Sequence, residues 1–309
     1  MEKNGTYICP TRRCFFKTHA ARPIPFQIDD KILRIYFTSR DSDDRPLPTY
    51  IDVDIKNPSK ILHINDKPLL NLGRLGTFDD SGITLACMLE HKGKILIYYS
   101  GWERRRYNVT FELSIGLAIA RFPDMTFKKV FEGPILAQDK NHPILVAGPF
   151  VMYDGGRFKM WYCSGTKWII NEEGNPEPIY RVHYAESEDG INWLTFEKPA
   201  IDYKYDGEVI SAPWVLKVGS EYCMWYSYRG SANREAKKYV IGYAESKDGI
   251  NWERKDEKAG IERSESGWDS EMICYPSLFP YEDVMYMFYS GNQVGKGGMG
   301  YAIAENFLK

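Results

Sequence analysis

A short apolar strand recurs five times along this chain, as Arg34-Ile-Tyr-Phe37, Leu96-Ile-Tyr-Tyr99, Lys159-Met-Trp-Tyr162, Cys223-Met-Trp-Tyr226 and Tyr286-Met-Phe-Tyr289. Its third residue falls at Tyr36, Tyr98, Trp161, Trp225 and Phe288, so the copies lie 62, 63, 64 and 63 residues apart. Five near-equal periods filling 309 residues indicate one supersecondary unit built five times, each burying its apolar strand against its neighbours. The repeat runs from end to end, which predicts a single domain over 1–309.

Within one period, Gly148 to Gly165 reads as two β-forming runs joined by Asp154-Gly155-Gly156, a short hairpin signal. Asp29-Asp30, His91-Lys92-Gly93, Val218-Gly219-Ser220 and Glu282-Asp283 punctuate the other copies at the same place. A further strand follows each copy, at 49–53, 116–120, 183–187, 242–246 and 300–304. Two of these continue as nearly identical text, YAESEDGINW (184–193) and YAESKDGINW (243–252), where Asp-Gly marks a turn and Trp opens an outer strand. Each unit is then a blade of about four antiparallel strands, and the chain an all-β, five-bladed β-propeller. Its period exceeds the roughly 40 to 50 residues of WD40 or kelch blades, which implies longer loops. Continuous apolar runs such as KMWY suit strands covered on both faces, so Trp161 and Trp225 read as core. The segment around Tyr7 to Phe16 is expected to complete the last blade and close the ring, leaving no open edge there.

A formal charge of −2 with interspersed signs gives no field for nucleic acid or an anionic membrane, and points to a small-molecule or oligosaccharide partner. No apolar run reaches the ~20 residues of a membrane span or forms a leader, so a cytoplasmic address is expected. Of the six cysteines, Cys9, Cys14, Cys87, Cys163, Cys223 and Cys274, three lie in or beside the repeated strands, where a reduced thiol is an apolar filler. There is no Cys-x-x-Cys pair and no Cys/His spacing suited to zinc, so neither a metal nor an organic cofactor is expected.

In a propeller the start of each blade's first strand opens into a funnel on the axis. Aligning the repeats brings Thr18 to Arg22, Phe78 to Thr84, Asn141 to Leu145, Tyr205 to Ser211 and Trp268 to Cys274 to that place. Asp79, Asp206 and Asp269 occupy the same position in three repeats. They read as punctuation, carboxylates that accept backbone N–H bonds at a strand start. Asp80, Glu208 and Glu271 sit farther into the expected funnel and differ between repeats. Paired carboxylates across a cleft are what glycosyl transfer needs, one to protonate the leaving oxygen and one as base or nucleophile, so these three are the catalytic candidates. His19 and Arg22 approach from blade one and His142 from blade three. Arg40, Asp41, Lys167, Trp168 and Arg229 follow the repeated strands, where loops can cover the funnel and contact a sugar or an anionic group. Arg104-Arg105-Arg106 stands in a similar loop and reads as a solvated run.

These motifs resemble those of the five-bladed propeller carbohydrate-active enzymes, glycoside hydrolase families 32, 43, 62, 68 and 130. The strand Met224-Trp-Tyr-Ser227 and the YAES-DG-NW text carry the likeness over essentially the whole chain, and both mark scaffold. His19-Ala20, Phe78-Asp-Asp-Ser-Gly82, Thr166-Lys-Trp168, Met224 to Gly230 and Gly267 to Cys274 together are similar to uncharacterised bacterial propellers of surface-polysaccharide gene clusters. Family 43 would imply a base Asp in blade one, a modulating Asp in blade three and an acid Glu in blade four. Glu208 matches the last, but His19-Ala-Ala-Arg22 and His142-Pro143 supply no carboxylate. Family 130, which includes inverting mannoside phosphorylases, would imply a general-acid Asp in blade two, matched by Asp80. It would also imply phosphate held by basic side chains such as His19, Arg22 and Arg229, with inorganic phosphate as co-substrate.

The sequence thus reads as an enzyme acting on glycosides, with Asp80, Glu208 and Glu271 as the acid/base set and His19 and Arg22 orienting the sugar or an anion. Hydrolysis is the first reading and phosphorolysis or glycosyl transfer the second. A non-catalytic sugar- or protein-binding propeller is a third, which would show its funnel carboxylates tied up by Arg or backbone partners.

Overall fold

The computed structural model describes residues 1–7, 16–106, 108–231 and 235–305, with backbone alone at 4–7. The strand β1 (Glu2–Tyr7) precedes four complete blades. Blade one is β2 (Thr18–Gln27), β3 (Ile32–Arg40), β4 (Pro46–Asp54) and β5 (Asn57–Ile64); blade two is β6 (Gly82–His91), β7 (Lys94–Arg104), β8 (Phe111–Ala120) and β9 (Lys128–Lys129). Blade three is β10 (Val146–Asp154), β11 (Arg157–Ile170), β12 (Pro176–Ser187) and β13 (Leu194–Thr195); blade four is β14 (Val209–Val218), β15 (Glu221–Arg229), β16 (Val240–Ser246) and β17 (Glu253–Arg254). Blade five holds β18 (Cys274–Tyr281), β19 (Val284–Ser290) and β20 (Met299–Glu305), and β1 pairs antiparallel with β20 as its fourth, outer strand. The expected propeller of five four-stranded antiparallel sheets is therefore the observed fold. The ring is closed by Glu2–Tyr7, upstream of the expected Tyr7 to Phe16, most of which lies outside the described residues, as do Cys9 and Cys14.

The repeated apolar strand is the second of each blade, and alternation sends its side chains into two different cores. From β3, Ile35 and Phe37 enter a cluster shared with blade five while Tyr36 enters one shared with blade two. From β15, Met224 and Tyr226 face blade three while Cys223 and Trp225 face blade five. The core is thus a set of wedges between blades, and Trp161 and Trp225 are buried in them. Directional bonds add to the apolar contact. Tyr98 Oη donates to Gly190 O (3.0 Å) and Trp161 Nε1 to Gly249 O (2.8 Å), each reaching the Asp-Gly turn of the next blade. Those turns are the repeated text. Asp189 accepts the N–H groups of Ile191 and Asn192 at 2.8 Å each, and Asp248 does the same for Ile250 and Asn251. Burial alone would raise both carboxyls, and the bonds from these backbone N–H groups and from the Asn side chains hold them instead at about 2. Cys87, Cys163, Cys223 and Cys274 are free and buried, and among the described residues no helix is long and apolar enough to cross a membrane.

Candidate functional site at the propeller axis

The innermost strands carry a bulge where they approach the axis. Ala21, Thr84, Ala147, Ser211 and Cys274 pair with Thr38, Ser100, Cys163, Ser227 and Ser290 of the second strands. The residues that follow, Arg22, Leu85, Gly148, Ala212 and Tyr275, recur at steps of 63, 63, 64 and 63. Four of them sit in the left-handed region, Arg22 at φ 58°, Gly148 at 58°, Ala212 at 50° and Tyr275 at 58°. That conformation is uncommon for non-glycine residues and persists only where surroundings impose it. Here the imposing contact is a bond from the neighbouring blade. The N–H of Arg22 donates to Ser290 Oγ (2.9 Å), that of Gly148 to Ser100 Oγ (2.8 Å), that of Tyr275 to Ser227 Oγ (2.8 Å) and that of Ala212 to Cys163 Sγ (3.4 Å). The joint between blades one and two differs. Leu85 stays in register with Tyr99, the bulge falls one residue later, and the buried Thr38 hydroxyl has no partner.

Of the five ring residues, Arg22 and Tyr275 are the two with long polar side chains. The Arg22 guanidinium crosses from blade one to blade three, so that a Cβ at position 148 would lie 2.9 Å from its Nη1, and it stacks over the Tyr275 ring at 5.6 Å. Reaching a non-adjacent blade places it on the axis. Burial lowers its pKa, and the groups that act against this are the thiols of Cys163 and Cys87 and the phenols of Tyr275 and Tyr180. Among the described residues no carboxylate pairs with it, although part of its surface remains open to solvent. A guanidinium enclosed this deeply without a counter-ion costs folding energy unless an anion completes it.

Nearer the mouth, His19 is half-buried, in the left-handed region at φ 64°, with Nδ1 2.8 Å from Thr18 Oγ1. Desolvation first, then the positive charges of Arg40 and Lys296, lower its pKa to about 4 against the opposing pull of Asp44, so the ring is neutral at pH 7. Asp80, two residues before β6, is half-buried; its Oδ2 accepts Gly76 N–H (2.8 Å) and its Oδ1 the Ser81 hydroxyl (2.6 Å). No cation among the described residues pairs with it, and two neutral donors fix its direction. Glu271, three residues before β18, is exposed; among the described residues its bonds are those of its backbone, the N–H to Asn292 Oδ1 (2.8 Å) and the carbonyl from Arg263 Nη1 (3.1 Å). Both stand at the end of the inner strands where Thr18 to Arg22 lies.

Glu208 does not join them. It is fully buried, accepts Arg254 at 2.8 and 2.9 Å and the Lys204 N–H at 2.7 Å, and Arg254 also holds Asp256 at 2.9 Å. A carboxylate engaged on both oxygens inside the blade is an anchor, and the family 43 pattern loses its one matching residue. Asp79 and Asp269 are anchors of another kind: each accepts the Tyr hydroxyl twenty positions later, Tyr99 at 3.0 Å and Tyr289 at 2.9 Å, and a lysine from the outer strand, Lys129 or Lys3. Blade three fills the same place with His142, whose Nε2 lies 3.1 Å from Tyr162 Oη. Asp206 is exposed and meets Lys167 (2.8 Å), while in blade four the Tyr226 hydroxyl turns to Asp256.

The remaining candidates are mostly tied locally. Arg40 holds Asp44 (3.1 Å), buried Asp41 organises its own loop through the N–H groups of Asp43 and Arg45, and Trp168 packs edge-on to Phe111 at 5.4 Å. Arg229 pairs with Glu177 and lies 4.9 Å over the Tyr239 ring. Tyr239 in turn shares a 2.7 Å hydroxyl contact with Tyr180. Of the expected loop run, Arg104 spans two blades to Asp43 O at 2.7 Å. Tyr275 and Gly148, which complete the axial setting of Arg22, escaped the sequence reading; the signal for them is their shared spacing with Arg22 in the repeat.

Comparison with known proteins fixes the relationships. No family model matches the chain. An uncharacterized protein of Mycobacterium tuberculosis is 35% identical over 291 residues, 94% of either chain. The chain belongs to the family of that mycobacterial protein. A weaker likeness, 33% identity over 129 residues, covers 38% of this chain and 42% of a beta-1,2-mannobiose phosphorylase of a Thermoanaerobacter species. Among solved structures, a thermostable family-43 glycoside hydrolase superposes with a TM-score of 0.70 at 16% identity, over 98% of this chain and 92% of that one. A further glycoside hydrolase gives 0.75 at 20%, over 99% and 91%. The fold of this family is thus the five-bladed propeller of those glycosidases.

Proposed function

We propose that the chain is a carbohydrate-active enzyme that breaks or forms a glycosidic bond at the propeller axis, and that its acceptor is inorganic phosphate. The observation that carries this reading is the Arg22 guanidinium, enclosed at the axis without a carboxylate. Cleavage needs a proton for the departing oxygen and a nucleophile at the anomeric carbon. Asp80, fixed by Gly76 and Ser81 and free of any cation among the described residues, supplies the proton as general acid. Glu208 is occupied by Arg254, and blades one and three bring histidines where a second carboxylate would stand. An external oxyanion bound by Arg22, with neutral His19 as a hydrogen-bonding neighbour, then serves as nucleophile, and the partial likeness to a mannobiose phosphorylase agrees with this. The donor bond breaks with its oxygen taking the Asp80 proton, and a phosphate oxygen bonds to the anomeric carbon, giving a sugar phosphate.

The test is a screen of glycosides with and without phosphate, with product chromatography. Phosphate-dependent release of a sugar phosphate, lost in Asp80→Asn and Arg22→Met, is expected. Equal turnover without phosphate would favour hydrolysis, for which exposed Glu271 is the available base. Binding without turnover, unaffected by Asp80→Asn, would favour a sugar-binding propeller.

A further inference from the structure

The outer strands of the blades are unequal. In blades two, three and four they are two residues long, β9, β13 and β17, whereas β5 in blade one has eight. β5 is bonded to β4 on one side and is the edge of its sheet on the other. Against β4 it carries an extra residue, Leu62, between Ile61 and His63, and every position from Ser59 to Ile64 is exposed. Ile61, Leu62 and Ile64 are 43%, 46% and 41% exposed, three large apolar side chains within one turnless stretch. Natural edges are guarded by proline, charge or brevity. Here the guards, Pro58 and Lys60, stand in the first half, and the second half presents apolar side chains on an open backbone edge.

We propose that β5 pairs antiparallel with β5 of a second copy, about a two-fold axis at His63. The occupant is argued from the strand's own complementarity. Rotation about His63 sets Leu62 opposite the partner's Ile64 and Lys60 opposite the partner's Asp66, each pair occurring twice. Lys60 is 62% exposed with one long ion pair to Asp54 (3.5 Å), and Asp66 is exposed with no ion-pair partner among the described residues. Alternative registers centred on Leu62, or between Ile61 and Leu62, lose the Lys60 and Asp66 match. Such a dimer joins two blades into one eight-stranded sheet and stands independently of the axial chemistry.

Sedimentation across a concentration series is expected to show a dimer. Asp66→Lys raises the dissociation constant about tenfold through two like-charge pairs, and adding Lys60→Glu restores it. Leu62→Lys with Ile64→Lys yields a monomer with an unchanged circular dichroism spectrum. His63→Cys tests the register, because residues directly opposite on antiparallel strands lie about 4.5–5.5 Å apart at Cα, within disulfide reach. It should cross-link on mild oxidation where the unsubstituted chain does not. A monomer at all concentrations, a dimer surviving the double lysine variant, or a dimer that His63→Cys fails to cross-link would each overturn the proposal.

Discussion

The Arg22 guanidinium fills the space that a side chain at Gly148 would occupy: a Cβ there would lie 2.9 Å from Nη1 and 3.1 Å from Nη2. Gly148 also holds φ at 58°, a conformation that costs an alanine about 1–2 kcal/mol. Gly148→Ala is therefore expected to lower stability by at least that amount and to displace the guanidinium. Turnover with phosphate should fall by more than the loss of folded protein explains, measured as phosphate KM at a temperature where the variant is folded. An unchanged KM would show that the axial guanidinium does not meet the acceptor.

The ring of interblade bonds predicts a contrast between two hydroxyls. Ser290 Oγ accepts the Arg22 N–H at 2.9 Å, so Ser290→Ala strands a partly buried donor and is expected to cost about 1 kcal/mol. Thr38, at the equivalent place, has a buried hydroxyl with no partner. Thr38→Val keeps its shape and removes the orphan, and is expected to be neutral or stabilising by up to about 1 kcal/mol. Urea denaturation of both variants reads the difference directly; equal losses would show that the hydroxyls do not cap the ring.

Glu208 and Arg254 are expected to behave as scaffold. Removing one partner of a buried pair costs about 3–5 kcal/mol because the other is left charged and unmatched. Glu208→Gln should lose only part of that stability, because Arg254 keeps Asp256 as a partner, whereas Arg254→Met should lose more, because it leaves Glu208 buried without a cation. Activity per folded molecule should remain within about threefold, since a catalytic carboxylate would cost orders of magnitude more. A variant that folds normally and is inactive would return Glu208 to the acid/base set.

The scaffold was legible because propeller blades repeat their apolar strand, and the period alone set the strand order and the core residues Trp161 and Trp225. The site was only partly legible, for two physical reasons. Whether a carboxylate is free depends on cations distant in sequence, and Glu208 is taken by Arg254, 46 positions away. The axial position of Arg22 depends on a bulge, which shifts register without any signal in composition. Gly148 gives a hint, as glycine suits φ above zero, but Ala212 and Tyr275 adopt the same backbone under duress from Cys163 and Ser227. The Asp-aromatic anchors, by contrast, were visible as a shared position and proved to be tyrosine acceptors at Asp79 and Asp269.

His183 supplies a prediction in pH. It is buried against His142, with ring centroids 5.0 Å apart, and desolvation above all lowers its pKa to about 4, His142 and Arg181 adding to the effect. In the unfolded chain it titrates near 6.5. Between those values the unfolded state binds a proton that the folded state refuses, so stability rises with pH across the window and is lost as pH falls from about 6.5 towards about 4. The loss between pH 7 and pH 5 is on the order of 2 kcal/mol from this residue. His183→Gln keeps a polar side chain there without a titrating ring, and its stability should change less over the same interval, by roughly that difference. Carboxylates such as Asp189, already held at about 2, titrate below this window and leave the comparison clean. Parallel slopes for the two proteins between pH 7 and pH 5 would show that His183 accepts its proton as readily in the folded blade as in the open chain.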